Sequence, residues 1–352
     1  MITRTSASRQ APLPEAPLPQ TPAWQRIQAR AITDPETLIR RLGLDPALLP
    51  AARRAAELVR LKVPEGYVDR MRPGDPDDPL LRQVLPLDAE CDSPPGYVDD
   101  PVGDGAAMVV PGLLHKYQGR VLLVTTGACA VHCRYCFRRH FPYGEANPAR
   151  EDWAGALDYI AADPSIAEVI LSGGDPLSLA DKRLAVLARA LADIPHVRRL
   201  RVHTRQPIVL PERVDDALLD WLRPGRLDTV MVIHANHARE IDGSVRAALQ
   251  RLRDAQIPLL NQAVLLRGVN DEVEALAALS EALFGAGVMP YYLHQLDPVR
   301  GAAHFQVSDH RALALQEGLS AQLPGYLVPR LVREIPGARA KTPLIGQSPP
   351  GS

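Results

Sequence analysis

From Arg120 onward the sequence alternates short, β-branched apolar runs with longer segments that carry apolar residues every three or four positions. No other feature limits the fold as tightly. The runs at 121–125, 168–172, 200–203, 229–234, 259–265 and 289–294 are predicted strands. Helical patterns lie between them at 153–162, 182–193, 213–222, 244–255 and 272–286, with a last one at 311–321. Strands and helices in alternation give parallel β/α units. Six units are fewer than a closed eight-unit barrel needs. The pattern alone therefore leaves two architectures, an open six-unit barrel and a doubly wound sheet. In both, ligands bind at the C-terminal ends of the strands.

The region before this alternation reads differently. Residues 1–23, rich in proline, alanine and glutamine, have no apolar stretch of the kind a secretory signal carries, and are expected to form a disordered tail. A transit peptide is the weaker alternative. Residues 24–111 are expected to form a helical region followed by an ordered wrapping loop. Asp34-Pro35-Glu36 opens one helix with an N-cap and a proline at its first position. The Pro/Asp-rich run that follows has little periodicity, yet a structureless linker of that length is uncommon inside a compact protein. The β/α region is expected over 112–322 and a C-terminal segment over 323–352. With 40 Lys+Arg against 41 Asp+Glu, there is no electrostatic footprint for nucleic acid or an acidic membrane. No apolar run is long enough to span a bilayer.

Three of the four cysteines, Cys129, Cys133 and Cys136, fall on the loop that leaves the first of the six strands, with Tyr135 just before the last. Four cysteines in 352 residues are too few for a disulfide framework, and the clustering points to a cytoplasmic metal or cluster site. Structural zinc wants four closed ligands, for which His132 or His140 would have to complete the set. A four-iron cluster held by three thiolates leaves one iron open to a small chelating molecule. Cys91 stands alone and has no assignment. Ser172-Gly173-Gly174-Asp175 ends the second strand; glycines there would let a ligand approach the backbone. His203-Thr204-Arg205, His234 and Asn261-Gln262 end further strands and would face the same mouth.

The C-x3-C-x2-C loop after a first strand resembles the radical S-adenosylmethionine superfamily. This implies a partial (β/α)6 barrel and a [4Fe–4S] cluster on the three cysteines. It also implies S-adenosylmethionine bound beside Tyr135, the Ser172–Asp175 segment, His234 and Gln262. More of the chain is similar to the lysine 2,3-aminomutase family: RVLL, C-x3-C-x2-C-x-RR, SGGD, MPYYLHQLD, GAAHF, GYLVP and the K-TP around Lys341, with DPDDPLLRQVLP upstream. The resemblance implies an isomerase that performs a radical 1,2-amino shift on free L-lysine to give (R)-β-lysine. Lys341 would carry pyridoxal phosphate, with Tyr117 and Arg120, and Lys116 beside them, around that cofactor. Arg138 would pair with the substrate carboxylate, and Asp297 and Glu334 with its ε-ammonium.

The chain departs from the lysine-fermenting enzymes in having Glu334 where they have aspartate and Ala338-Arg339-Ala340 where they have a glycine run. It also stops soon after Lys341. HFPYGE after the cysteines and Arg333-Glu334-Ile335 resemble the branch that makes β-lysine for elongation factor P. That implies a functional link to the factor and its β-lysine ligase, and a flavodoxin or ferredoxin as electron donor; a homo-oligomer is compatible with all of this. The alternatives are an aminomutase acting on another amino acid, and a non-catalytic iron–sulfur protein that would not need Lys341.

Overall fold

The structure, a computed structural model, describes residues 21–92, 94–144, 153–223 and 225–346. The expected tail therefore lies almost wholly outside the described residues, as does Glu145 of HFPYGE. Four helices open the described chain: α1 (Ala23–Ala29), α2 (Pro35–Arg41), α3 (Leu49–Leu58) and α4 (Glu65–Val68). Asp34 caps α2 by accepting from the backbone of Glu36 and Thr37, and Pro35 sits where its missing N–H costs nothing. The Pro/Asp-rich segment after α4 is a succession of turns. Its Leu80, Leu81, Val84 and Leu85 are buried in the main core, so the segment wraps the molecule rather than linking two parts of it.

Ten strands form one sheet in strict chain order. A hairpin, β1 (Met108–Val110) and β2 (Leu113–Tyr117), runs antiparallel into β3 (Arg120–Thr126). Parallel strands follow, each reached through a helix: α5 (Ala154–Ala162), β4 (Glu168–Gly173), α6 (Asp181–Ala192) and β5 (Arg199–Thr204). Next come α7 (Gln206–Val209), α8 (Asp216–Leu222), β6 (Asp228–Ile233), α9 (Gly243–Asp254), β7 (Leu259–Val264), α10 (Val273–Gly285) and β8 (Met289–His294). The chain ends with α11 (Asp309–Gln322), a seventh parallel strand β9 (Arg330–Arg333), and β10 (Thr342–Pro343) returning antiparallel onto β9.

A doubly wound sheet reverses its strand order partway. This one never does, which settles the architecture as a barrel wound one way. β1 and β10 do not pair, so the barrel stays open. Side chains from β2 and from the segment after β9 nevertheless line one cavity, so the sheet curls until its two edges face each other. The six strands expected from periodicity are all present; β1, β2, β9 and β10 were not anticipated. The helix expected at 213–222 begins only at Asp216, because Asp215 caps it through the Leu218 amide. Among the described residues no helix is long and apolar enough to cross a membrane.

Along the parallel strands one face is apolar and packs under the helices, with Val169, Leu171, Leu200 and Val202 fully or almost fully buried. The alternate positions point the other way. Arg120, Glu168, Ser172, Arg201, His203 and Gln262 line the cavity, and Arg201 pairs with Glu168 at 2.7 Å. The barrel interior is thus a polar chamber, of about 700 Å³, rather than a core.

Candidate active site

The cysteine loop leaves β3 and is clamped from outside by the N-terminal region. Lys62 Nζ donates to the Cys129 carbonyl at 2.8 Å, and the His132 amide donates to the Lys62 carbonyl at 2.9 Å. Arg134, between two cysteines, is fully buried and donates to both carboxylate oxygens of the buried Glu90, at 2.8 and 2.5 Å. Its other donors reach the carbonyls of Val59 and Ala55. Arg139 adds a third charge, 2.8 Å from Glu90. Buried charges persist only when paired and hydrogen-bonded in this way. His132 Nδ1 lies 2.8 Å from the Arg60 carbonyl oxygen and His140 Nε2 3.3 Å from that of Arg300.

The three thiols are free and face the chamber. Burial pushes the Cys136 thiol up to about 11 and Cys129 well above the usual thiol range, and the cysteines next to each add to the effect. The guanidinium of Arg205 is a cation at thiol distance, 2.8 Å from Cys133 Sγ. Cys129 and Cys136 resist ionising until something supplies positive charge. Iron does so, and thiolates are its natural ligands in a four-iron cluster. The donor set fits one.

Gly173 and Gly174, expected to admit a ligand, first admit the cysteine loop. A Cβ on Gly173 would stand 2.6 Å from the Thr126 carbonyl oxygen, and one on Gly174 would stand 2.5 Å from that of Ala128. Asp175 likewise works inside the protein. Burial pushes its carboxyl up to about 6, while it accepts from Thr204 Oγ1 and from the amides of Arg205 and Leu177. It ties the ends of β4 and β5 together. Tyr135 accepts through its hydroxyl from Asn236 at 2.7 Å, and its ring lies under Arg205. Atoms left for a ligand are the buried Nε2 of His203 and of His234 and Oε1 of Gln262, which have no partner. Burial lowers both histidines, His234 to about 4, so they stay neutral. Orphaned donors and acceptors on a chamber wall suit a polar ligand of nucleoside size, as S-adenosylmethionine is.

On the opposite wall a line of charges joins the tail to the cysteine loop. Lys341 Nζ donates to Glu334 at 2.9 Å, and Lys116 Nζ donates to the other Glu334 oxygen at 2.9 Å. Lys116 also lies 2.6 Å from Asp104 Oδ1, outside hydrogen-bonding angles, and Asp104 Oδ2 accepts from Arg138 Nε at 2.6 Å. Arg138 Nη1 reaches Ser172 Oγ at 3.1 Å. Burial alone would raise the Glu334 carboxyl, but Lys341 and Lys116 hold it down at about 2. Asp297 forms no salt bridge among the described residues, and burial, with Glu334 adding to it, pushes its carboxyl up to about 7. Arg120 stacks 4.7 Å over the Tyr117 ring, and Lys341 Nζ lies 5.8 Å from the centre of the Tyr292 ring. An amine within reach of aromatic rings and a spare cation fits a phosphorylated pyridine aldehyde.

The residues singled out from sequence for cluster, cofactor and substrate therefore border one chamber, but Asn261, expected at the same mouth, does not: its buried side chain exchanges hydrogen bonds with the backbone of Ala235. Asp104 and the clamp of Glu90 with Arg134 were not anticipated. In sequence Asp104 is one more acidic residue in a Gly/Asp turn, and nothing distinguishes it.

The radical SAM superfamily model matches residues 123–279. The chain is 51% identical over 322 residues to an L-lysine 2,3-aminomutase of Escherichia coli, covering 91% of this chain and 94% of the relative. It is 47% identical over 319 residues to the enzyme of the same name from Haemophilus influenzae, covering 91% and 94%. To that from Clostridium subterminale it is 38% identical over 292 residues, covering 82% and 69%. With three thiols on the loop after the first parallel strand and this identity along nearly its whole length, the chain belongs to the L-lysine 2,3-aminomutase family of radical SAM isomerases.

Proposed function

We propose that the protein converts free L-lysine to (R)-β-lysine in the cytoplasm, with pyridoxal phosphate carried on Lys341. The observation that supports this most is the single chamber shared by the three thiols and the Lys341 amine, with a guanidinium and two acids between them. When bound, the cluster with S-adenosylmethionine supplies a carbon radical that can take an unactivated hydrogen, and pyridoxal phosphate carries the migrating nitrogen. Cys129, Cys133 and Cys136 hold the cluster, and His203, His234 and Gln262 offer their open polar atoms to S-adenosylmethionine. Arg138 grips the α-carboxylate through its planar fork. Glu334, already ionised, and Asp297, which loses its proton as the ammonium arrives, hold the ε-ammonium. Two carboxylates in a buried site reject side chains that lack a cation, because each would otherwise stay unpaired. Stretched between these grips, the substrate presents its β-hydrogen at a fixed point, and a misplacement of about 1 Å could cost roughly 100-fold.

The test is anaerobic incubation of the reconstituted protein with L-lysine, S-adenosylmethionine, pyridoxal phosphate and dithionite, followed by chiral chromatography. (R)-β-lysine is the expected product; recovery of unchanged lysine sinks the proposal. The further reading, that this β-lysine modifies elongation factor P through a ligase and that a flavodoxin or ferredoxin supplies the electron, rests on HFPYGE and Arg333-Glu334-Ile335. The intact mass of elongation factor P from cells with and without the chain tests it. An unchanged mass would remove it.

A further inference from the structure

We infer that Asp104 is a positioning residue: it fixes the edge of Arg138 that receives the substrate carboxylate and couples that grip to the ammonium grip at Glu334. The inference rests on the reading of Arg138 given above.

Asp104 comes from the wrapping segment, not from the barrel, yet it is almost wholly buried, at 2% exposure. Its own backbone is held first. Asp100 accepts from the amides of Asp104 and Gly105, at 2.8 and 2.9 Å. Lys116 Nζ donates to the Val102 carbonyl at 2.8 Å. On its other side the turn meets the tail, where Pro336 fills the space beside Gly103. The carboxylate is thus delivered by a braced turn that touches the segment carrying Glu334 and Lys341.

Its two oxygens serve different ends of the chamber. Oδ2 takes Arg138 Nε at 2.6 Å, and Oδ1 faces Lys116, whose ammonium also holds Glu334. Arg138 Nη1 goes to Ser172, and the guanidinium packs 4.9 Å from the Phe137 ring centre. Among the described residues Nη2 makes no hydrogen bond. A fork anchored at Nε and stacked on a ring cannot swivel, so it offers one edge to a carboxylate. Burial opposes the charges of both partners, and each offsets that for the other. Asp104 stays ionised below the usual carboxylate range beside Arg138 and Lys116. The span from Arg138 through Asp104 and Lys116 to Glu334 then sets one distance between the carboxylate and ammonium grips.

The experiment compares two ligands on the holoenzyme, without S-adenosylmethionine or reductant: L-lysine, and cadaverine, which is lysine without its carboxylate. Calorimetric titration should show wild type preferring L-lysine. Asp104→Asn should weaken L-lysine binding about ten- to a hundredfold, the scale of one charge-assisted hydrogen bond, and leave cadaverine within about twofold. Asp104→Glu keeps the charge, guards against a folding failure of the first variant, and should lose part of the preference. Equal weakening of both ligands would reduce Asp104 to a structural role, and tighter L-lysine binding would make it a competitor of the substrate; either overturns the inference. If wild type shows no preference for L-lysine over cadaverine, the reading of Arg138 fails, and the inference with it. If wild type prefers L-lysine and both variants keep that preference, only the inference fails.

Discussion

The two ends of the chamber are held in opposite ways. At the cysteine end a buried lattice of charges fixes the loop. Glu90, Arg134 and Arg139 form one part of it; Arg205, Gln83, Glu240 and Asn236 form the other, and of the three guanidinium groups only those of Arg139 and Arg205 leave a buried Nε without a partner. At the lysine end the chain is held by the two-residue strand β10 and by Glu334, and Ile345 just beyond is 79% exposed. The difference matches what each end must do. A radical source has to be rigid and dry, because its product reacts with whatever is nearest. A lysine that would carry pyridoxal phosphate, as proposed for Lys341, would have to move to release and recover it.

The largest expected effect removes the radical source itself. Cys133→Ala should abolish turnover, with iron content and visible absorbance lost as well; turnover that survives would remove the cluster from Cys133. Next comes the clamp. Glu90→Ala leaves Arg134 and Arg139 buried without a counter-charge, and a broken buried pair costs about 3–5 kcal/mol. Urea unfolding should show a loss of that order, and a loss under about 1 kcal/mol would mean that the clamp does not fix the loop.

The third effect is a pH dependence at the substrate end. Asp297 carries a raised carboxyl near 7, whereas Glu334 is ionised throughout the working range. If both acids hold the ε-ammonium as proposed, both attract it above pH 7; as pH falls through 7, Asp297 takes a proton and its share is lost. Affinity for L-lysine should fall about tenfold between pH 7.5 and 6, one pH unit below the midpoint being worth about tenfold in the ionised fraction. Asp297→Asn should bind more weakly at pH 7.5 and show a flat profile. A wild-type profile that is already flat would mean that Asp297 does not face the ammonium. The smallest effect is the counterpart of the clamp. Glu334→Gln should cost less stability than Glu90→Ala, since Lys116 keeps Asp104 and both lysines are less deeply buried than Arg134. A loss as large as that of Glu90→Ala would erase the contrast between the two ends.

The sequence made the scaffold readable wherever burial imposed a period. β3 to β8 are apolar or alternating runs of strand length, and their ends match the expected bounds to within a residue or two. It did not reveal β1 and β2, where Pro111-Gly112 interrupts two short runs, or β9, whose outer residues Arg330 and Arg333 break the apolar signal. Cys129, Cys133 and Cys136 were legible because a spacing is a local property. Lys341 carries no local signal and was found only through the resemblance. Asp104, Glu90 and Arg134 could not be found at all, because what distinguishes them is burial against partners 34 and 44 residues away in the chain. Gly173 and Gly174 were read for a ligand, and the backbone of the cysteine loop lies against them first.

On the proposed function, the tail lysine and the cysteine loop form one two-cofactor site. Two amines stand on the same Glu334 carboxylate, Lys341 and Lys116, and only one can carry pyridoxal phosphate. Borohydride reduction of the holoprotein, followed by peptide mass mapping, fixes the label where the cofactor was attached. Reduction should leave a pyridoxyl adduct on Lys341, absent in Lys341→Ala. An adduct on Lys116, or none on the chain, would remove Lys341 as the cofactor's carrier.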